Sequence, residues 1–479
     1  MTYVTRLTKA LAEQHPSVKI YLVGGSIRDK LLGRRTKDFD VVIAGVPAQS
    51  LEKTLNKLGT TKLVGKSFGV YKWRSNSNDK PAVQIDIALP RRERAKMTGR
   101  RRDFDIQSDS NLPIGDDLSR RDFTINAIAF DLCLKKYIDP FGGRADIRAK
   151  LIKTVGLPED RFAEDYSRML RAIRLACQLN FKIEQKTWES IKKNINNIKK
   201  IAAEITAAEI IKALSSDPLR AAELFDRSGL WMELVPEMMK MKKCFQPRKW
   251  HSEGNVWNHT LLTLKTLKKI CDPNLALAVL WHDLGKPKAH GIKKRKITFY
   301  GHEKIGARMA GRIIKRLKLE SAGVNKSAVQ WLIKNHMIIC GSDPKKLRSA
   351  TIEKYFLSSR YPSKFLLLLI KSDIKGSVPA TDNVKRNNYK KKLLILKKRL
   401  NQIKKQPQKP LLTGEEVMAL FNLSPGPKVG QVLRRLREAQ LSGKISTKEE
   451  AEKFLIDKNS TQSPLSSLAQ NRRNRGTLI

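Results

Sequence analysis

Every strong β-type run in this chain falls before residue 145. Residues 18–140 carry KIYLVGG, FDVVIAG, GVYKW, VQIDIAL and NAIAFDL, interleaved with helical stretches, which is an α/β or α+β pattern. Beyond it, helical periodicity takes over, from RFAEDYSRMLRAIRLACQL through AAELFDRSGLWMELVPEM. At 479 residues the chain is too long for one hydrophobic core. The change of period then divides it into bodies: an α/β head at 1–145, a helical region at 146–241, and a linker at 242–250. A second helical domain follows at 251–400, with one short hairpin at KKRKITFYGH, then a small helical segment at 410–457 and a polar tail at 458–479 expected to be disordered. There is no internal repeat.

The head carries the densest chemistry. KIYLVGG reads as a buried strand ending in a tight turn, and SIRDKLL opens a helix that Gly33 ends. Gly24 and Gly25 at a helix start offer backbone N–H groups, no Cβ obstruction and the positive helix end, which suits a phosphate. Arg28, on the first turn, can reach the same anion. The pattern is neither GxGxxG nor a P-loop. In the next strand, DFDVVI, residues two apart share a face, so Asp38 and Asp40 project together. Adjacent carboxylates repel, and Mg²⁺ relieves that repulsion with oxygen ligation. Asp86, in VQIDIAL, could complete a two-metal site. The competing reading is an exposed strand start; the glycine turn just upstream favours metal.

DLSRRDFTINAIAFD (117–131) adds Arg120, Arg121, Asp122 and Asn126 ahead of what reads as an apolar helix. The cluster is either a solvated helix start or a set of contacts for a ribose and a triphosphate. AEDYSRMLRAIRLA (163–176) reads as one helix, with Glu164–Arg168 at i,i+4, Asp165–Arg168 at i,i+3, and Arg168, Arg171 and Arg174 in one stripe. That is salt-bridged surface or base recognition. Cytosine and adenine each present an exocyclic amine donor beside a ring-nitrogen acceptor. One carboxylate beside one guanidinium suits both and rejects uracil and guanine.

Charge points to polyanions. The chain has 95 Lys+Arg against 46 Asp+Glu, a net +49, which favours nucleic acid first and an anionic membrane second. A general lysine bias is the bland alternative. The five cysteines, Cys133, Cys177, Cys244, Cys271 and Cys340, form no CxxC pair, as expected of reduced thiols in a cytoplasmic protein. No apolar run approaches the ~20 residues of a membrane span, and MTYVTRLTKALAEQHPSVKI has no signal-peptide core. No membrane association and no stable protein partner are expected.

LVGGSIRDKLLGRRTKDFDVVI, RRDFTINAIAFD, DPFGGRADI and EDYSRMLRAIRLA, in that order over residues 18–240, resemble the head and neck motifs of class II CCA-adding enzymes. These are tRNA nucleotidyltransferases of the DNA polymerase beta-like superfamily, with bacterial poly(A) polymerases as close relatives. The resemblance implies catalytic Mg²⁺ on Asp38 and Asp40 and a triphosphate held by Gly24, Gly25 and Arg28. It implies ribose and phosphate contacts from Arg121, Asp122 and Asn126, with Asp165 and Arg168 selecting CTP and then ATP for addition to tRNA. LPRRERAKMTGRRRDFDIQSD (89–109) resembles the flexible loop needed for the final A. EITAAEII (204–211) departs from the family's Ser-x-Glu-Arg-Ile by lacking its arginine, which bears on the primer contact.

Six of seven histidines lie between 251 and 336. A His…His-Asp…Asp set suits a divalent metal holding a hydrolytic water. It resembles the HD phosphohydrolases, with His259, His282, Asp283 and Asp373 at the four ligand positions, a metal of unspecified identity, and His302 and His336 available for a second ion. The leading expectation is template-independent CCA addition. Alternatives are a poly(A) polymerase, a partial CC- or A-adding enzyme, an HD phosphohydrolase whose head only binds RNA, and an RNA chaperone acting through charge alone.

Overall fold

The computed structural model describes residues 2–34, 39–64, 69–75, 84–95, 99, 104–248, 251–269, 271–339, 342–358, 362–378, 383–406 and 409–457. They form two compact units. One comprises Met1–Met239, Lys268–Pro273 and Ile313–Val324; the other comprises Lys240–Leu267, Asn274–Arg312 and Asn325–Ile479. Among the described residues no helix is long and apolar enough to cross a membrane.

The first unit opens with a mixed sheet. Its strands are β1 Lys19–Val23, β2 Phe39–Ala44, β3 Gly59–Val64, β4 Val70–Ser75, β5 Gln84–Ala88, β8 Ala129–Asp131 and β9 Lys136–Ile138, ordered β3-β4-β5-β2-β1-β8-β9; β6 Arg91–Ala95 and β7 Phe104–Ser108 form a separate hairpin. Among the described residues, only β2 and β5 run parallel within the large sheet. Ile20–Val23 and Val41–Ala44 are continuously buried, because both faces of the central strands are covered. Tyr21, Val23, Val42 and Ala44 pack with Leu118, Ala127, Ala129 and Val155. Burying each larger apolar side chain contributes ~1.5–3 kcal/mol. This core clamps the ends of β1 and β2, where the charged residues sit.

Two readings made from periodicity are corrected here. The charged cluster at Arg120–Asp122 does not open an apolar helix: a 3₁₀ turn at Thr124–Asn126 leads into β8, the strand expected from NAIAFDL. The run 163–176 is not one helix but two, Pro158–Glu164 and Ser167–Leu179, separated by Asp165 in an extended conformation (φ −154°, ψ 101°). The Asp165 Oδ1 accepts the Ser167 backbone N–H at 2.8 Å, so a local side-chain bond replaces the continuing helical ladder.

The described residues of the second unit are helical apart from a two-stranded hairpin, Gly291–Lys293 with Lys296–Thr298. Residues 242–248 do not behave as the linker their composition suggested. Phe245 bridges Asn255, the Gln246 N–H donates to the Gly254 carbonyl at 2.8 Å, and Cys244 and Gln246 are buried. The helices Gly414–Phe421, Pro427–Leu441 and Lys448–Asp457 share their own cluster, including Leu412, Val417, Val432, Leu436 and Leu455. The first is started by a Thr413/Glu416 capping box. Residues 458–479 lie outside the described residues. Burial pushes the Cys177 thiol up to about 12, so it is an unreactive core residue.

Candidate active site and candidate metal centre

The chain leaves β1 at Val23 and turns immediately through Gly24 (φ 71°) into the helix Gly25–Leu31. A Cβ on Gly24 would stand 2.9 Å from an Arg121 guanidinium nitrogen and 3.1 Å from Asp40 Oδ2. The glycine is therefore required both by backbone sign and by space. Asp40 is the cross-strand partner of Val23 on β1 and of Asp86 on β5. Residues paired in parallel register point to the same face, so Asp40 and Asp86 are neighbouring carboxylates. Such a pair fits a divalent cation with oxygen ligands. Asp38 lies outside the described residues.

A hydrogen-bonded chain runs away from this turn. Arg28 Nη1 donates to Asn126 Oδ1 at 2.8 Å, and Asn126 Nδ2 donates to Asp122 Oδ1 at 3.1 Å. Arg171 Nη2 lies 2.7 Å from Asp122 Oδ2. Burial disfavours a charged Asp122, but Arg171, the Asn126 amide and Arg168 outweigh it and hold the carboxyl below its ordinary value. Arg28 also pairs with Asp29 at 2.9 Å. Residues 98 positions apart, Arg28 and Asn126, thus meet through the packing of the helix Gly25–Leu31 on the turn at Thr124–Asn126.

Asp117 was not anticipated. It is fully buried and splits its carboxylate, Oδ1 to Arg120 at 2.5 Å and Oδ2 to Arg121 at 2.9 Å. Arg120 also reaches Glu93 on β6 at 2.7 Å. Burial works against the charge on Asp117, yet Arg121 and Arg120 prevail and lower its pKa. The i,i+3 and i,i+4 spacing to Arg120 and Arg121 was the signal available in the sequence.

Arg168 is 6 % exposed and Asp165 5 %. Their side chains do not pair; the Arg168 backbone N–H donates to the Asp165 carbonyl at 3.1 Å. Arg168 Nη1 donates to Glu164 Oε2 at 2.5 Å and to the Arg161 carbonyl, while Nη2 donates to the Arg120 carbonyl at 3.3 Å. Arg168, Arg171 and Arg174 stand three apart on the helix Ser167–Leu179, each on a different acid. They hold Glu164, Asp122 and Glu209 respectively, and Glu209 comes from EITAAEII. The carbonyl of Gly99 accepts the Tyr166 N–H at 3.1 Å, tying one residue of the 89–109 segment to the stretch between Asp165 and Arg168.

In the second unit, His259, His282, Asp283 and Asp373 converge. His259 Nε2 lies 3.0 Å from Asp373 Oδ1 and 3.3 Å from His282 Nε2, and His282 Nε2 lies 3.2 Å from Asp283 Oδ2. The other oxygen of Asp283 faces His302 Nε2 at 3.3 Å and His336 Nε2 at 3.9 Å. His259, His282 and His336 are wholly buried. The Nδ1 atoms of His282, His302 and His336 each donate to a backbone carbonyl (Val279, Phe299 and Ile333) at 2.7–2.8 Å. Their Nε2 atoms therefore face the centre, and in a neutral ring each offers its lone pair there. Those of His302 and His336 stand 3.4 Å apart, an arrangement a cation satisfies and a hydrogen bond between two neutral rings does not.

Burial, then the neighbouring His282 and His302, hold the His336 pKa down at about 3, so it stays neutral. Burial also opposes charge on His259, but Asp373 and Glu253 outweigh it and hold its pKa at about 9. Glu253, which receives both His251 and His259 Nδ1, and Lys286, which bridges Asp283 and Gln246 at 2.6 Å each, were not singled out from sequence.

Three family models match: the poly A polymerase head domain over residues 20–153, the "Probable RNA and SrmB- binding site of polymerase A" over 180–242, and the HD domain over 256–355. The chain is 31% identical over 448 residues to the A-adding tRNA nucleotidyltransferase of Deinococcus radiodurans, covering 91% of this chain and 94% of that one. It is 32% identical over 369 residues to a multifunctional CCA protein of Nitrosococcus oceani, covering 75% and 85%, and 29% identical over 450 residues to the CC-adding tRNA nucleotidyltransferase of Thermus thermophilus, covering 91% and 92%. Its fold matches the CCA-adding enzyme of Bacillus stearothermophilus in complex with CTP (TM-score 0.62, 21% identity, 94% and 95% covered). It also matches the Thermotoga maritima CCA-adding enzyme complexed with tRNA (TM-score 0.60, 19% identity, 95% of each chain).

Proposed function

The chain belongs to the family of tRNA nucleotidyltransferases related to poly(A) polymerases, and on that premise we propose that it adds C and A to the 3′ end of tRNA from CTP and ATP. The observation that carries this reading is the chain Arg28–Asn126–Asp122–Arg171 beside the Gly24 turn and the Asp40–Asp86 pair. It sets cationic and polar groups for a nucleoside triphosphate next to carboxylates for its metal.

In the reaction the tRNA 3′-oxygen forms a bond to the α-phosphorus, the bond to the bridging oxygen breaks, and pyrophosphate leaves. Asp40 and Asp86, with Asp38, would hold Mg²⁺, which supplies charge neutralisation and a lowered pKa for the attacking hydroxyl. Gly24 and Gly25 leave room for the phosphates, and Arg28 and Arg121 offset their charge. Asn126 and Asp122 would contact the ribose, and Arg171 fixes Asp122. Arg174 acts through Glu209 as a positioning residue. Asp165 and Arg168 would read the base edge, with Glu164 and the Arg120 carbonyl aiming the guanidinium. The division into head, helical region, HD domain and C-terminal segment, and a cytoplasmic location, belong to the same reading.

Relatives that add A, CC or the whole triplet differ in the nucleotides they accept. The tie between Gly99 and Tyr166 favours the full triplet, because it joins the 89–109 segment to the base-reading stretch. Incubating tRNAs ending before CCA, or after CC, with CTP, ATP or both, and sequencing their 3′ ends, tests this. Full addition requires both nucleotides on the first substrate. Extension of the first by ATP alone marks a poly(A) polymerase, and a stop at CC, or extension only of the second, marks a partial enzyme.

A second activity rests on the facing Nε2 atoms of the second unit. His259, His282, Asp283 and Asp373 would bind one divalent ion of unspecified identity, and His302 and His336 a further one. The metal would supply an acidified water for phosphoester hydrolysis.

A further inference from the structure

Asp283 and His302 are joined by residues 284–301, which hold six Lys/Arg and no Asp or Glu. Within them, Gly291–Lys293 pairs antiparallel with Lys296–Thr298, and Lys293 lies directly opposite Lys296. Lys294 and Arg295 make the turn at φ 50° and 60°. Both choices work against the hairpin. Positive φ at two turn positions suits Asn and Gly, and like charges directly opposite repel. Residues 292–296 are exposed, and Ile292 and Tyr300 stand 74% and 76% exposed on either side. Local rules broken at a solvent-facing position, with no packing gained, mark a functional segment.

The root of the hairpin is built into the metal centre. The Phe299 carbonyl accepts His302 Nδ1 at 2.8 Å, and Lys286 Nζ lies 2.6 Å from Asp283 Oδ2 and 5.6 Å from the Phe299 ring centre. Three residue pairs carry the basic tip ~10 Å outward from that root. A single phosphate would need only a cation at the root, where Lys286 already sits. Four successive exposed cations flanked by an aromatic and an aliphatic side chain suit a repeating phosphate backbone with bases.

We propose that the hairpin Gly291–Thr298, with Tyr300, is an RNA-binding arm that delivers an RNA strand, rather than a free nucleotide, to the His/Asp centre. This rests on reading that centre as hydrolytic. There, a water oxygen bonds to the terminal phosphorus, the ester P–O bond breaks, and the leaving oxygen takes a proton.

The test uses the full chain with Mn²⁺, the quadruple variant K293Q/K294Q/R295Q/K296Q and, separately, Tyr300→Ala. Two substrates are compared: a short single-stranded RNA with a 3′-phosphate, and p-nitrophenyl phosphate. The quadruple variant is expected to raise KM for RNA about tenfold and to lower the slope of log KM against log salt by ~3, leaving kcat and the small ester unchanged. An equal loss on both substrates, or no change on RNA, overturns the proposal. If the wild-type chain cleaves neither substrate, the hydrolytic reading fails, and photocrosslinking of a 4-thiouridine RNA decides the arm separately. Crosslinks to the 292–300 peptide that vanish in the variant support it, and their absence from the wild type overturns it.

Discussion

Asp40 on β2 is the direct parallel-strand neighbour of Asp86 on β5. Two carboxylates so placed repel each other, and a divalent cation offsets that repulsion. Asp40→Asn and Asp86→Asn are expected to abolish 3′ extension while leaving the fold intact. Mg²⁺ should raise the Tm of the wild type and have a smaller effect on either variant. Differential scanning calorimetry across a Mg²⁺ titration reads this, and an equal Mg²⁺ response in the variants would remove the assignment.

Gly24→Ala combines a positive φ with a Cβ 2.9 Å from Arg121. The backbone strain alone costs ~1–2 kcal/mol. The larger effect is on catalysis, since Arg121 and Asp40 must both shift. A loss of kcat/KM of about a hundredfold, equivalent to ~2.7 kcal/mol, is expected in a protein that still folds.

Asp117 ties Arg120 and Arg121 from a fully buried position. Removing one partner of such a set costs ~3–5 kcal/mol, so Asp117→Ala should lower the urea midpoint strongly. The carboxyl is held below its ordinary value when folded. Its contribution is therefore present above the unfolded pKa of ~3.9 and is lost as the pH falls below that. Urea midpoints measured from pH 7 down to pH 3 should fall more steeply for the wild type than for Asp117→Asn.

If Asp165 and Arg168 select the base as proposed, removing one hydrogen-bonding partner relaxes discrimination by ~1–3 kcal/mol. Asp165→Ala is expected to admit UTP or GTP, with the ratio of kcat/KM for CTP over UTP falling at least about tenfold. An unchanged ratio would move the reading function elsewhere.

The centre in the second unit predicts a metal count. Atomic emission on the purified chain should find divalent metal, and His282→Ala or Asp373→Ala should remove most of it. Chelation should lower the Tm of the wild type but not of these variants, since an ion bound only to the folded state stabilises it.

Much of the head was legible because its elements are local. The Gly24–Gly25 turn, Arg28 and Asp40 lie within 17 residues, and strand periodicity alone puts Asp40 on β2. The histidine cluster was legible by residue type, since buried imidazoles with aspartates have few other uses. Tertiary structure decided which atoms face which. A continuous helical pattern hid the break at Asp165, because a single Asx bond outweighs periodicity where packing permits. Composition made 242–250 look like a linker, yet Gln246 is buried against Lys286, forty positions away. Covalent geometry sets spacing along a strand or helix, so pattern reveals it. The pairings Arg28–Asn126, Arg174–Glu209 and His302–His336 depend on how distant segments close onto one another, and that is settled only when the cores pack.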